Sequence, residues 1–264
     1  MKKAYIGLFS LLSLALIFFI FLSINGNTLE RWNIKTGSFA RVLFGDTTRR
    51  RPPSPAKDTT ATKSLKAAAD FSQTVDTARK SILFIGDSML EGLGPRMAAY
   101  AEENGHTLVN VIWYSSTTEV WGRTEKLKEY IDEYHPDYIF VSLGGNELFV
   151  SNIRDRRQKY LDNMLSQIGD IPFVWIGPPN WKPDTGINEM LAETLRPGQF
   201  YLSYTPDQHY DRARDGAHPT RASASAWMDR VCAWVMKSAA HRIVLHRPKA
   251  ARATCHTVVL APAK

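Results

Sequence analysis

The chain has 264 residues, enough for one or two domains of ordinary size. An apolar share of 44% and a charged share of 22% exclude wholesale disorder, 16 Gly and 14 Pro without a triplet period exclude a collagen-like chain, and two cysteines are too few for a disulfide framework or a four-thiolate zinc module. The net charge of +7 is unevenly placed: residues 237–264 contribute +6, residues 41–66 contribute +5 and residues 1–40 contribute +3, which leaves −7 for residues 67–236. A nucleic-acid footprint belongs on the folded surface itself, so basic flanks around an acidic domain argue against a nucleic-acid partner.

Lys2 and Lys3 precede Ala4–Ile24, an apolar run of about twenty residues, the length a bilayer asks of a helix. Asn25-Gly26-Asn27 follows without the small-residue pattern of a cleavage site, so residues 1–25 are read as an uncleaved signal anchor. A cleaved signal peptide is the alternative, and both export the domain. The two lysines keep the N-terminus cytoplasmic. The expectation is a single pass through an inner membrane, with the domain in the periplasm or another extracytoplasmic space. Residues 26–79 read as a tether, partly disordered, with the basic proline-rich stretch Arg49–Pro55 and a short helix over Ser64–Arg79.

From Lys80 strands and helices alternate. Ser81–Ile85 is a continuous apolar run, as in a strand buried on both faces. A helix over Pro95–Glu103 stops at Asn104-Gly105, and Thr107–Trp113 is the second strand. Thr124–Tyr134 carries an apolar stripe, Tyr138–Leu143 is the third strand, Asp155–Ile168 a helix, Phe173–Ile176 the fourth strand and Phe200–Ser203 a candidate fifth. Arg221–Met236 closes a domain over residues 80–237. This alternation predicts an α/β fold, a parallel sheet covered on both faces. Residues 238–264 read as a basic C-terminal tail, where pairing of Ile243–Leu245 or Thr257–Leu260 as late strands stays open. Export permits a disulfide between Cys232 and Cys255, and the sequence leaves that open too.

Ligands of open parallel sheets bind beyond the carboxyl ends of the strands. Gly86-Asp87-Ser88 follows the first strand, Gly144-Gly145-Asn146-Glu147 follows the third, and Asp215-Gly216-Ala217-His218-Pro219 precedes the last helix. Each alone is a plain turn. Together they supply a hydroxyl, a base with an orienting acid, and a side-chain amide, the parts acyl transfer needs. Ser88 is the candidate nucleophile, His218 the base and Asp215 its partner, with Asn146 a candidate oxyanion donor. Asp87 and Glu147 are expected to bond loop backbone. Tyr114, Trp121 and Trp181 fall in strand-end loops, where aromatic faces could stack on sugar rings, with core or rim packing favoured for any one of them. The histidines match no zinc spacing, so no metal site is expected.

The combination resembles the SGNH hydrolase superfamily, also called GDSL-type esterases. Its first block is similar to Gly86-Asp87-Ser88, its third to Gly144-x-Asn146-Glu147 (more often G-x-N-D), and its fifth to Asp215-x-x-His218, in the family's order over residues 80–236. The second block normally places a glycine after the second strand, whose N–H enters the oxyanion hole. Ser115 stands there in this chain, with Ser116 next. The resemblance implies a three-layer α/β/α fold with a central parallel sheet of the flavodoxin-like kind, serine-dependent ester hydrolysis or acyl transfer, and no metal or other cofactor. The oxyanion donors it implies are the N–H of Ser88, the N–H of Ser115 and the amide of Asn146. With export, this points to O-acyl esters, O-acetyl in particular, of cell-envelope polysaccharide, an acylated glycan or another small ester being the substrate. One alternative is an O-acetyltransferase fed by a multi-span partner. The other is a non-catalytic module that binds glycan or a partner protein.

Overall fold

The computed structural model describes residues 74–261. The expected anchor and nearly all of the expected tether lie outside the described residues. Among the described residues no helix is long and apolar enough to cross a membrane. The elements run β1 (Ser81–Gly86), α1 (Leu90–Glu103), β2 (Thr107–Trp113), α2 (Thr118–Gly122), α3 (Lys126–Tyr134), β3 (Tyr138–Ser142), α4 (Ile153–Ile168), β4 (Phe173–Ile176), α5 (Ile187–Thr194), β5 (Phe200–Tyr201), α6 (Arg221–Ser238) and β6 (His256–Leu260). All pairings are parallel, in the order β5-β4-β3-β1-β2-β6.

Because side chains alternate along a strand, the continuous apolar runs divide between two faces. Ile82 and Phe84 of β1 join Tyr138 and Phe140 of β3 in one core with α1 and α6. Leu83, Ile85, Ile139 and Val141 join the other, with Leu127, Leu161 and Leu191 from the helices behind it. A sheet with an apolar core on each face is the three-layer α/β/α arrangement, and each face buries a different set of helices. The first helix starts at Leu90 and holds Pro95 inside it, five residues before the expected start. Helices α2 and α5 had no counterpart in the sequence reading, because each is shorter than three turns.

The stretch read as a basic tail is part of the folded unit. Strands β5 and β6 lie at opposite edges, so the chain between them crosses the sheet, about 24 Å at the usual strand spacing. Helix α6 and residues 239–255 make that crossing. Ile243 and Leu245, each 2% exposed, enter the α1–α6 core. Val244 N–H donates to Asp76 O (2.9 Å) and Asp76 N–H to Arg242 O (2.8 Å), forming a parallel bridge between Asp76 and Ile243. Residues 74–79, expected in the tether and at the end of a helix, are therefore non-helical and pinned to this segment. His106 is buried beneath it with Nε2 2.7 Å from Val244 O. Cys232 and Cys255 are both free thiols. The signal missed in the sequence was weak: five residues of β6 with only intermediate or exposed positions have no apolar periodicity.

Truncating Ile243 would leave a cavity costing about 2–5 kcal/mol. Ile243→Ala should accordingly lower the melting temperature by on the order of 10 °C. An unchanged melting curve would place this segment outside the cooperative unit.

Candidate active site

The strand order reverses at β1, whose neighbours are β2 on one side and β3 on the other. Connections leaving β1 and β3 therefore part in opposite directions, and a crevice opens beyond their carboxyl ends. Ser88, Ser115 and Asn146 follow the ends of β1, β2 and β3 respectively. Gly86 closes β1 where a Cβ would lie 2.5 Å from Ser142 O and 2.4 Å from Leu90 Cδ1. Only glycine lets the backbone of β1 pass β3 this closely before turning into α1.

In that turn Asp87 is 1% exposed, and its Oδ1 accepts the Met89 N–H at 2.9 Å. This is the expected loop bond, made across Ser88. Burial raises its carboxyl from the ordinary 3.8 to about 7, outweighing the Met89 N–H bond and the nearby His218, while Glu147 adds a further push upward. Glu147 accepts one backbone N–H, as expected, and two side-chain donors besides. Its carboxylate accepts from Thr118 N–H (3.0 Å), Thr118 Oγ1 (2.7 Å) and Arg157 Nε (2.8 Å), tying the β3 turn to α2 and α4.

Asp215 and His218 sit on the tip of a hairpin-like loop. Arg212 and Pro219 form an antiparallel bridge, Ala213 N–H donates to His218 O at 2.8 Å, and Gly216 takes φ +70° at the apex. The spacing D-x-x-H works here because Asp215 Oδ1 accepts the N–H groups of Ala217 (2.8 Å) and His218 (2.9 Å), which turns the chain back on itself. Asp215 Oδ2 then meets His218 Nδ1 at 2.8 Å, and His218 Nε2 lies 2.7 Å from Ser88 Oγ. The His218 N–H first, then its ring and the Ala217 N–H, hold the Asp215 carboxyl down to about 2. An ionised Asp215 keeps the ring proton on Nδ1 and leaves Nε2 open to accept from the Ser88 hydroxyl. The arrangement can generate a serine alkoxide and store its proton.

On the opposite side of the crevice Ser115 has φ +58°, the left-handed conformation glycine favours. Among the described residues the N–H groups of Ser88 and Ser115 donate no hydrogen bond. The Asn146 amide is engaged, through Nδ2 bonds to Ser116 O (3.0 Å) and Asp87 Oδ2 (3.3 Å). It therefore clamps the residues beside Ser115 and Ser88 instead of standing as an open donor. Trp121 corrects a further expectation: it is fully buried, stacks edge-on to Trp113 at 5.2 Å and donates Nε1–H to Ser116 Oγ at 3.0 Å. Burying the indole against α4 left no face for a ligand. Tyr114 lines the crevice and bonds Glu91 through its hydroxyl. Trp181 is half-buried, donates to Gly145 O at 3.0 Å and meets the exposed Phe149 at 6.5 Å between ring centres.

Arg212 was not singled out in the sequence. Its guanidinium donates to Ala217 O (2.9 Å), Pro179 O (2.7 Å) and Asn180 O (2.9 Å), fastening the Asp215–His218 loop to the segment after β4. Desolvation lowers its pKa. No motif spacing advertises such a residue, since its three acceptors are backbone carbonyls.

No family profile matches the sequence, and no curated protein matches it. Solved structures similar in chain path include the following three. A psychrotrophic esterase, EstA, from Pseudoalteromonas sp., in a form inhibited by monoethylphosphonate, is 16% identical with a TM-score of 0.43, over 60% of this chain and 97% of that one. TesA is 19% identical with a TM-score of 0.43, over 60% and 98%. A lipase/acylhydrolase from Enterococcus faecalis is 21% identical with a TM-score of 0.44, over 58% and 95%. The chemistry of this site rests on its own atoms.

Between about pH 4 and pH 7 the fold holds a proton on Asp87 that the unfolded chain, ionising at the ordinary 3.8, has released. The stability this proton contributes is present at low pH and is lost as pH rises through that window. Asp87→Asn, which needs no proton, should flatten this part of the curve in urea melts taken across it. An unaltered slope would remove Asp87 as the source.

Proposed function

We propose that this chain is a serine-dependent carboxylic ester hydrolase, acting on O-acyl esters, O-acetyl in particular, of cell-envelope polysaccharide. The single observation that carries the reading is the series Ser88 Oγ, His218 Nε2, His218 Nδ1, Asp215 Oδ2, with contacts of 2.7 and 2.8 Å. Ser88 Oγ attacks the ester carbonyl while His218 takes its proton, and Asp215 stabilises the imidazolium that forms. His218 then returns the proton to the leaving alcohol. In the second half it deprotonates a water that resolves the acyl-enzyme. The N–H groups of Ser88 and Ser115 meet the developing oxyanion, each such donor being worth about 3–4 kcal/mol. Asn146 positions both by clamping Ser116 and Asp87.

The glycan and envelope parts of the reading draw on other features. The apolar run Ala4–Ile24 behind two lysines supports an anchored, extracytoplasmic domain. Trp181 with the exposed Phe149 and Tyr204 supports a surface on which sugar rings stack. The resemblance of the three blocks to the SGNH pattern agrees with the ester chemistry.

A fluorophosphonate probe should label the full chain at one serine, with labelling and 4-nitrophenyl acetate turnover both lost in Ser88→Ala. Asp215→Asn should reduce turnover by about 10³–10⁴-fold with the fold intact. An unlabelled, inactive wild-type chain would defeat the esterase reading.

Ser115→Gly tests whether that position acts through its backbone alone. Relief of the left-handed strain and the entropy of glycine nearly offset, so stability should move by no more than about 1 kcal/mol. Turnover should stay within a few-fold of wild type. A loss of about 100-fold would show that the Ser115 side chain takes part.

A further inference from the structure

The crevice holding Ser88 and His218 has a volume of about 680 Å³, and its wall includes two arginines, Arg221 and Arg252. The acids on the same wall are already engaged: Asp215 with His218, and Glu91 with the Tyr114 hydroxyl. Among the described residues neither arginine has a carboxylate partner. Arg221 is the first residue of α6, whose first turn carries no acid, so its charge adds to the positive end of an 18-residue helix instead of offsetting it.

Arg252 is delivered by construction. Arg96, 4% exposed and paired with Asp229 at 2.6 Å, donates Nη1 hydrogens to Ala250 O (2.6 Å) and Ala251 O (3.1 Å). On the other side of Arg252, Ala253 N–H donates to Pro95 O at 2.8 Å. A half-buried ion pair and three backbone acceptors thus hold the chain on both sides of one exposed guanidinium. The segment that supplies it comes from residues 237–261, which carry +5, folded against residues 74–236, which carry −6. An acidic domain has been given a positive wall at its reactive centre.

Resting on the ester reading, we propose that the cleft selects an acylated glycan bearing acid groups, with Arg221 and Arg252 binding the substrate's carboxylate or phosphate. The planar guanidinium fork matches both anions in bidentate geometry. Both guanidinium groups are exposed, so the attraction is one that salt screens. The two charges also steer a polyanion toward Ser88, so selection acts on capture of the substrate.

Calorimetric titration of the full chain tests this without turnover. Three probes are used: tetragalacturonate, its carboxyl-reduced counterpart, which is neutral and holds no ester, and glucose 6-phosphate. At least one anionic probe should bind about tenfold or more tightly than the neutral one. Which anion binds distinguishes carboxylate from phosphate. Arg221→Gln with Arg252→Gln should abolish the preference, while the paired lysine variants should retain part of it. Added salt should shrink the preference in the wild-type chain. Equal binding of charged and neutral probes, no binding of either anion, or a preference that survives in the paired glutamine variant would overturn the proposal. If that variant does not fold, the matched probes on the unaltered chain still decide. Failure of the esterase reading is separate, read as an unlabelled Ser88 in a chain whose anion binding is measured on its own.

Discussion

The hydrogen bond between Ser88 Oγ and His218 Nε2 joins residues 130 apart at 2.7 Å. Everything else in the site serves to make that contact without strain on either side. One end is fixed by the tight passage of β1 beside β3 at Gly86, the other by a loop whose own aspartate folds it back. The reversal of strand order at β1 supplies the empty space between them, since chain leaves β1 and β3 in opposite directions. Arg212 then closes the remaining gap by tying the His218 loop to the segment after β4.

The opposite wall is built from buried polar groups, and their placement is consistent with positioning donors instead of supplying new ones. Asn146 reaches the residues next to Ser88 and Ser115, while Glu147, fully buried, pins the β3 turn to Thr118 and Arg157. Burial raises the carboxyl pKa of both Asp87 and Glu147. Glu147 has a cation in direct contact, whereas Asp87 accepts only from neutral donors, the Met89 N–H and the Asn146 amide. That difference makes Asp87 the more sensitive of the two to protonation.

The last segment of the chain joins fold and chemistry. Its backbone crosses from one edge of the sheet to the other beneath α1, held by Asn104, His106, Tyr138 and Arg96. The same hydrogen bonds that make Ile243 and Leu245 part of the core set Arg252 on the wall of the crevice. A run whose composition suggests a solvated tail is thereby both a structural strap and the source of positive charge beside Ser88.

How much was legible can be argued residue by residue. The continuous apolar strands and the blocks at Gly86, Gly144 and Asp215 were readable because each depends on local chemistry: two-sided burial, a glycine-only turn, a carboxylate three residues before an imidazole. Trp121 stood between a ligand face and a core because burial is not a local property; the same indole suits either, and only α4 packing against α2 decides. Ser115 showed itself as a departure from glycine, yet its left-handed backbone became visible only with coordinates. Arg212, Arg221 and Arg252 left no pattern, since a guanidinium that bonds backbone carbonyls or faces an open cleft needs no fixed spacing to its partners. Sequence alone therefore determined the layered α/β class and singled out Ser88, His218 and Asp215 as candidates, because those follow from periodicity and residue chemistry. Tertiary structure alone decided which side chains share the crevice and which charge dominates its wall, because contacts between distant segments depend on strand order and on the path of the crossing chain.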